Sequence, residues 1–303
     1  MLQQLVNGVS LGAMYALIAL GYTMVYGVLR LINFAHGEVF MVGAFAGLGA
    51  LTVLHLPLVA AVLVAMAVAA LFGVVIERCA YRPLRAAPRL AALITAIGVS
   101  LLLQNLGLLV LGAAPRAYPA SISAEPIPWA ERELAVVVTR QQLVILAATG
   151  AILLLLHVIV SHTRLGKAIR AVAQDREAAQ LMGVNVDRVI AFTFALGSAI
   201  AGAGGVFYGV YYGTADPLMG LMPGIKAFVA AVLGGIGSIP GAMLGGFLMG
   251  MLETGVSSTT LRISPAVTIS GSTLRDAVVF AVLIIILLVR PTGLLGRTSR
   301  EKV

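Results

Sequence analysis

Charge is what this sequence is short of. Only 11% of its 303 residues are Asp, Glu, Lys or Arg, against 60% that are hydrophobic, and the mean hydropathy is +1.04. Water-soluble domains carry about 25% charged residues, so this is the composition of a membrane protein with no room for a separate soluble domain. Cysteine is nearly absent: Cys79 stands alone, which rules out an internal disulfide and a cysteine metal site. Lysine is confined to Lys167, Lys226 and Lys302, and no Gly-x-x-x-x-Gly-Lys-Ser/Thr loop exists to cradle a nucleotide. His36 has no second ligand at i+3 or i+4, so no metal site is expected. Ser198, Ser238 and His36 can be assembled on paper into a hydrolase, yet no GxSxG elbow or paired-aspartate motif frames them. The formal charge of +8 reads as loop arginines that set membrane orientation, and nucleic acid is not an expected partner.

What the chain does have is apolar length. Runs near the ~20 residues that a bilayer requires lie at 5–28, 58–77, 90–112, 141–161, 189–212 and 274–290. The first lacks the charged leader and cleavage site of a signal peptide and is read as a retained span. Two further regions, 31–54 and 217–257, are apolar but interrupted. The fold class expected is therefore all-α and polytopic, with about eight membrane segments, two of them broken or re-entrant. One transmembrane domain is expected over 1–303: a first half to about 161, a cytoplasmic loop at 162–188 and a second half from 189.

Basic residues orient the segments. Arg78, Arg82, Arg85 and Arg89 crowd one loop. Arg164, Lys167, Arg170, Arg176 and Arg188 crowd another, and Arg290, Arg297, Arg300 and Lys302 the tail. These three segments are assigned to the cytoplasm. Segment 113–140 balances Arg116, Arg132 and Arg140 against Glu125, Glu131 and Glu133 and goes outside, which makes the N-terminus external. Parity then requires 217–257 to enter and leave on the outer side, with its break at "VLGGIGSIPG" (232–241). Gly241, Gly245, Gly246 and Gly250 suit close helix contacts.

The first interruption, "INFAHGEVF" (32–40), pairs with that second one. Paired broken helices point to a transport pathway near the midplane, lined by half-helix ends. The candidates are Asn33, Phe34, His36, Gly37, Glu38 and Lys226, with the backbone of Gly234, Gly235 and Gly237. Glu38 and Lys226, ionisable at membrane depth, are functional candidates by default, with snorkelling or a structural pair as the alternative. Asp216 and Pro217 are expected to cap the outer re-entrant helix. Tyr208, Tyr211 and Tyr212 are read as an interfacial aromatic belt.

The loop "HTRLGKAIRAVAQDREAAQLMGVNVDRV" (162–189) is patterned as a short amphipathic helix, able to cap a loop, lie on lipid or dock on a protein. Its Glu177-Ala178-Ala179, followed by Gly183, resembles the EAA loop of ABC importer permeases. "LINFAHG" (31–37), "RAVAQDREAAQLMGVNVDRV" (170–189), "IKAFVAAVLGGIGSIPGAMLGG" (225–246) and "PTGLLGR" (291–297) extend the likeness. Together they resemble the LivH-type permeases of high-affinity branched-chain amino-acid importers over nearly the whole chain. One departure stands: the general motif continues to Leu-Pro, whereas this chain reads "VIAFTFALG" (189–197). The first broken segment also resembles sugar permeases of the same superfamily.

The resemblance implies a cytoplasmic coupling helix on which Arg176, Glu177, Ala178, Ala179 and Gly183 meet an ATPase subunit. It implies two such ATPases carrying ATP and Mg, a second related permease, and a periplasmic or extracellular substrate-binding protein. The chain itself would hold no cofactor and catalyse no reaction, and would lie in the bilayer of the bacterial cytoplasmic membrane. A secondary transporter or channel, or a permease for amides or urea, is the alternative.

Overall fold

The structure, a computed structural model, describes residues 2–85, 87–119, 122, 125–128, 136–264 and 267–296. Among the orientation residues, Glu131, Arg132, Glu133, Arg297, Arg300, Lys302 and the side chain of Arg89 lie outside them.

The first helix, α1 (Leu2–Leu29), is 28 residues long, about 42 Å at 1.5 Å per residue. Apolar and small on every face, it is buried almost throughout from Ser10 to Val25, as a helix without a polar stripe must be. Around it stand α2 (His36–Thr52), α3 (Leu58–Ile76, extended by a π turn at Glu77–Tyr81), α4 (Arg89–Leu111) and α5 (Arg140–His162). Two short helices follow, α6 (Arg164–Gln174) and α7 (Arg176–Leu181). The bundle is completed by α8 (Val186–Tyr212), α9 (Leu221–Gly234), α10 (Ile239–Ser257) and α11 (Gly271–Val289). Two small antiparallel pairs join loops: β1 (Arg116–Ala117) with β2 (Thr214–Ala215), and β3 (Thr260–Ser264) with β4 (Val267–Ser270).

Seven of these helices are long and apolar enough to cross a membrane, and the chain is an all-α, multi-pass membrane protein. Glycine decides which of them meet at backbone distance. A Cβ added to Gly12 would fall 2.7 Å from Phe247 Cα, so α1 and α10 touch with nothing between them. The spaced glycines of α10 serve two neighbours: Gly246 and Gly250 face α1, while Gly241 and Gly245 face α9. By contrast α4 and α11 turn Leu101, Leu109, Val110, Ile284, Ile285 and Leu288 outward, an apolar surface suited to hydrocarbon.

Contacts at the two ends of α1 fix the sense of the bundle. Gln3 exchanges hydrogen bonds with the Val137 backbone (3.0 and 2.7 Å), so α1 starts on the face of the 113–139 loop. Arg176 donates to the Val28 carbonyl (2.7 Å) at the other end, where the arginine-rich loops gather. The N-terminus thus lies opposite the basic face, as the charge pattern predicts.

Three details depart from the sequence reading. The glycine-rich turn at 235–238 joins α9 to α10 at the basic face, where Gly237 approaches Gly27 near the end of α1. Leu294 and Leu295 there donate to the Leu233 and Gly234 carbonyls (both 2.9 Å), so this turn is not at mid-depth. Glycines mark a tight reversal at any depth, which is why position along the chain misled. The tyrosines of α8 do not form a separate belt: Tyr208 packs on Phe40 (5.5 Å) and on Tyr212 (4.3 Å). Asp216 caps the turn before α9, accepting from Leu218 N (2.7 Å), and the helix itself starts at Gly220.

Candidate functional site

The first site grows out of the break after α1. Arg30 takes φ 54°, a conformation that ends the helix, and residues 31–35 climb back into the bundle without regular structure. Their backbone is held by Tyr81, whose hydroxyl donates to Asn33 Oδ1 (3.1 Å) and lies 3.2 Å from the Ile32 carbonyl. Tyr81 comes from the π turn that prolongs α3, and π turns are frequent at functional positions. Asn33 is thereby buried and oriented. The His36 amide then bonds to the Asn33 carbonyl (3.1 Å) and α2 begins.

His36 starts α2 midway along α8. Its ring fills the room left by the missing side chain of Gly21, and Gly21 in turn meets Gly197 of α8 at backbone distance. Tyr22 packs edge-on against it (4.8 Å), and Phe228 of α9 joins Tyr22 and Phe34 (both 5.9 Å) in one aromatic cluster. The imidazole is wholly buried, and neither nitrogen makes a hydrogen bond of good geometry, although the Ile18 backbone faces the ring.

Gly37 and Glu38 meet the start of α9. A Cβ on Gly37 would collide with the Gly220 carbonyl and fall 3.2 Å from Gly224 Cα. One on Gly220 would fall 2.6 Å from Glu38 Oε2. The Glu38 carboxylate is 1% exposed; one side faces the Ser100 hydroxyl of α4, and Oε2 has no hydrogen-bond partner. Two half-helices therefore start from one mid-depth junction, α9 towards the basic face and α2 towards the face opposite it.

Asn33, Phe34, His36, Gly37 and Glu38 are thus brought together. Gly234, Gly235 and Gly237 are not: at the basic face Gly234 and Gly235 lie against Leu295 and Gly296 and Gly237 beside Gly27, with Gly235 and Gly237 at φ 108° and 94°. Their place beside Gly37 is taken by Gly220 and Gly224, which the sequence reading passed over. Lys226 also faces elsewhere. Its ammonium bonds Glu253 and Asp276 (both 2.8 Å), and Tyr15 donates to Glu253 (2.8 Å). Of the two readings of Lys226, a structural pair is the one this geometry matches.

The second site is the loop on the basic face. Helix α6 is capped by Thr163, which accepts from Gly166 N (3.0 Å), and buries Ile169 and Val172. Asp175 breaks the chain and caps α7, accepting from Ala178 N (3.0 Å). Arg176 reaches back to the Val28 carbonyl, and the proximity of Arg85 and Arg30 adds to burial in lowering its pKa. Ala179 packs inward beside Ile169, Val172 and Ile190. Glu177, Ala178 and Gly183 are exposed, and Gly183 turns the chain at φ 83° in open space. The five expected coupling residues therefore divide, two holding α7 to the bundle and three facing outward.

Sequence reading missed the most prominent side chains here. Leu181 and Met182 stand 88% and 84% exposed at the end of α7, where a helix in water would hide them. Behind the loop, Arg85 clasps Glu77 and Asp187, and Arg82 also pairs with Asp187, tying the 77–85 turn to the start of α8. A cleft of about 600 Å³ opens between α7 and this turn, lined in part by Arg30, Arg85, Asp175 and Glu177.

Comparison with known proteins covers the whole of this architecture. Residues 4–287 match the family model "Branched-chain amino acid transport system / permease component". The chain is 46% identical to the high-affinity branched-chain amino acid transport system permease protein LivH of Salmonella typhimurium, over 100% of this chain and 97% of that protein. It matches LivH of Escherichia coli to the same extent, and BraD of Pseudomonas aeruginosa at 44% over 100% and 98%. Likeness of this extent reaches from the broken first segment to the last helix, and the chain belongs to the branched-chain amino-acid transport permease family.

Proposed function

We propose that this chain is a membrane-spanning subunit of an ABC importer that moves branched-chain or related amino acids into the cytoplasm across the bacterial inner membrane. The full-length likeness to LivH and BraD supports the substrate class. The exposed, apolar end of α7 supports the coupling to an ATPase, because Leu181 and Met182 suit a pocket on another protein better than water. In this reading two ATPase subunits carry ATP and Mg, a second related permease completes the passage, and an external binding protein delivers the cargo.

The chain's own part is mechanical. Glu177, Ala178 and Gly183, with Leu181 and Met182, seat on the ATPase. Arg176 and Ala179 pass the resulting displacement to the end of α1 and to α8. Those two helices meet at Gly21 and Gly197, where the His36 ring packs on Gly21, so motion at the basic face reaches the mid-depth junction through packed backbone rather than a flexible link. An apolar amino acid needs only a weakly polar passage with dipoles for its charged ends.

The test is reconstitution. Complexes captured through this chain are identified by mass spectrometry and placed in vesicles, where ATP-dependent leucine uptake is measured in the presence of the binding protein. Uptake without ATP would favour a secondary transporter, and preference for an amide or urea over leucine would move the substrate class.

A further inference from the structure

Neither half-helix that starts at the mid-depth junction has a side-chain cap: α2 follows Ala35 and α9 follows Gly220. The preceding turns take up most of the first backbone N–H groups, His36 on Asn33, Glu38 on Ala35 and Leu221 on Leu218, yet each start still carries the positive end of a helix dipole, up to roughly half a charge. The two starts touch backbone to backbone through Gly37, Gly220 and Gly224. Like partial charges this close repel, and inside the bundle little water screens them.

One acid occupies the first turn of either helix, and it is Glu38. It is the third residue of α2, in the first turn of that helix, and its Oε2 abuts Gly220 at the start of the other. No cation competes for it among the ion pairs of the described residues. Lys226, the basic residue of α9, is taken by Glu253 and Asp276. In transporters built on broken helices, such paired starts are where an anionic group of the cargo can sit. Here the chain fills the place itself.

We infer that the Glu38 carboxylate is the internal counter-anion of both half-helix starts, a positioning residue that holds α2 and α9 end to end and closes the junction to a cargo carboxylate. The holding of the helices stands on geometry alone, whereas the exclusion of cargo rests on the amino-acid transport reading. An importer built this way meets the cargo's carboxylate elsewhere along the passage.

Glu38→Gln, Glu38→Asp and Glu38→Ala are compared with the parent chain in its purified complex, by thermal midpoint and by leucine uptake. Gln keeps the size and loses the charge; both Gln and Ala should lower the midpoint and cut uptake about tenfold. Asp should retain most of both. Sodium formate, the smallest carboxylate, should raise the midpoint of Glu38→Ala in a saturable way and restore part of its uptake. Formamide and sodium chloride should not. Glu38→Gln, whose side chain still fills the junction, should not respond. Equal rescue by formamide would mean that the side chain merely fills space. A Glu38→Gln midpoint equal to the parent's, with uptake lost, would mean that Glu38 meets the cargo's ammonium instead. Either result overturns the inference. If Glu38→Ala does not fold, the Gln and Asp midpoints decide it, and the midpoint arm reads out even if the parent complex transports no leucine.

Discussion

Gly37 and Gly98 are both helical glycines without positive φ, and only their neighbours set them apart. A methyl group on Gly37 meets the backbone of Gly220 and Gly224, where nothing can yield. One on Gly98, in α4, meets nothing within 4 Å. Gly37→Ala should therefore cost roughly 1–3 kcal/mol as an overpacked contact, whereas Gly98→Ala should be neutral or gain up to about 1 kcal/mol of helix stability. Thermal unfolding in detergent separates the two, and uptake should fall only for the first. The Lys226 network allows a second test at this scale. Lys226 and Glu253 side chains are only 5% and 3% exposed, so Lys226→Met leaves the Glu253 carboxylate to Tyr15 and to Arg275 at the rim (3.5 Å) and should cost about 1–3 kcal/mol. Lys226→Met combined with Glu253→Met should cost less than the sum of the two single changes, because the pair is removed together and Arg275 and Asp276 remain paired at the rim (3.6 Å). A double-mutant cycle on unfolding midpoints gives the coupling directly. Additive losses would show that the two charges act independently.

At the scale of elements, α7 carries the sharpest contrast. Leu181→Asp and Met182→Asp alter side chains already in water, so the unfolding midpoint should stay within about 0.5 kcal/mol of the parent. Substrate-stimulated ATP hydrolysis by the reconstituted complex should nevertheless fall about tenfold, since a buried interface would then hold an unpaired charge. Ala179→Asp should do the reverse and destabilise the fold first, because Ala179 faces Ile169 and Ile190. Full coupling by the Leu181 and Met182 variants would remove the docking role from this loop. How legible the elements were follows the same physics. Apolar runs of span length named six of the seven long helices, with α10 folded into the interrupted region 217–257, and the break at 31–36 showed itself by Asn33, His36 and Glu38 in greasy surroundings. The partner of that break did not show itself, because Gly220 and Gly224 sit in "PLMGLMPG", where neither glycine density nor a polar side chain sets them apart. The division of α7 was hidden for a different reason. Helical periodicity places Leu181 on some face of a helix, but only packing decides whether that face has a neighbour.

For the whole molecule, the arginine-rich face and its opposite predict how reagents reach the chain. In a Cys79→Ser background, cysteines at Ala113 and Gln174, both exposed, should react with a membrane-impermeant maleimide from opposite sides. Reaction of both from outside intact cells would overturn the orientation. The position of α1 has a consequence for how the molecule is made. It leaves the ribosome before every other described helix and is the most enclosed of them in the finished bundle, and its glycine-lined groove is filled by α10. Tyr15 waits for Glu253, 238 residues later. At about 5–20 residues per second, synthesis leaves α1 without that neighbour for roughly 10–50 s. For that interval a helix shaped to be touched on every side has only lipid or the insertion machinery beside it. Assembly of this permease is thus a matter of holding an early helix in reserve until a late one arrives, and ribosome stalling between α5 and α10 is the point at which quality control should find it.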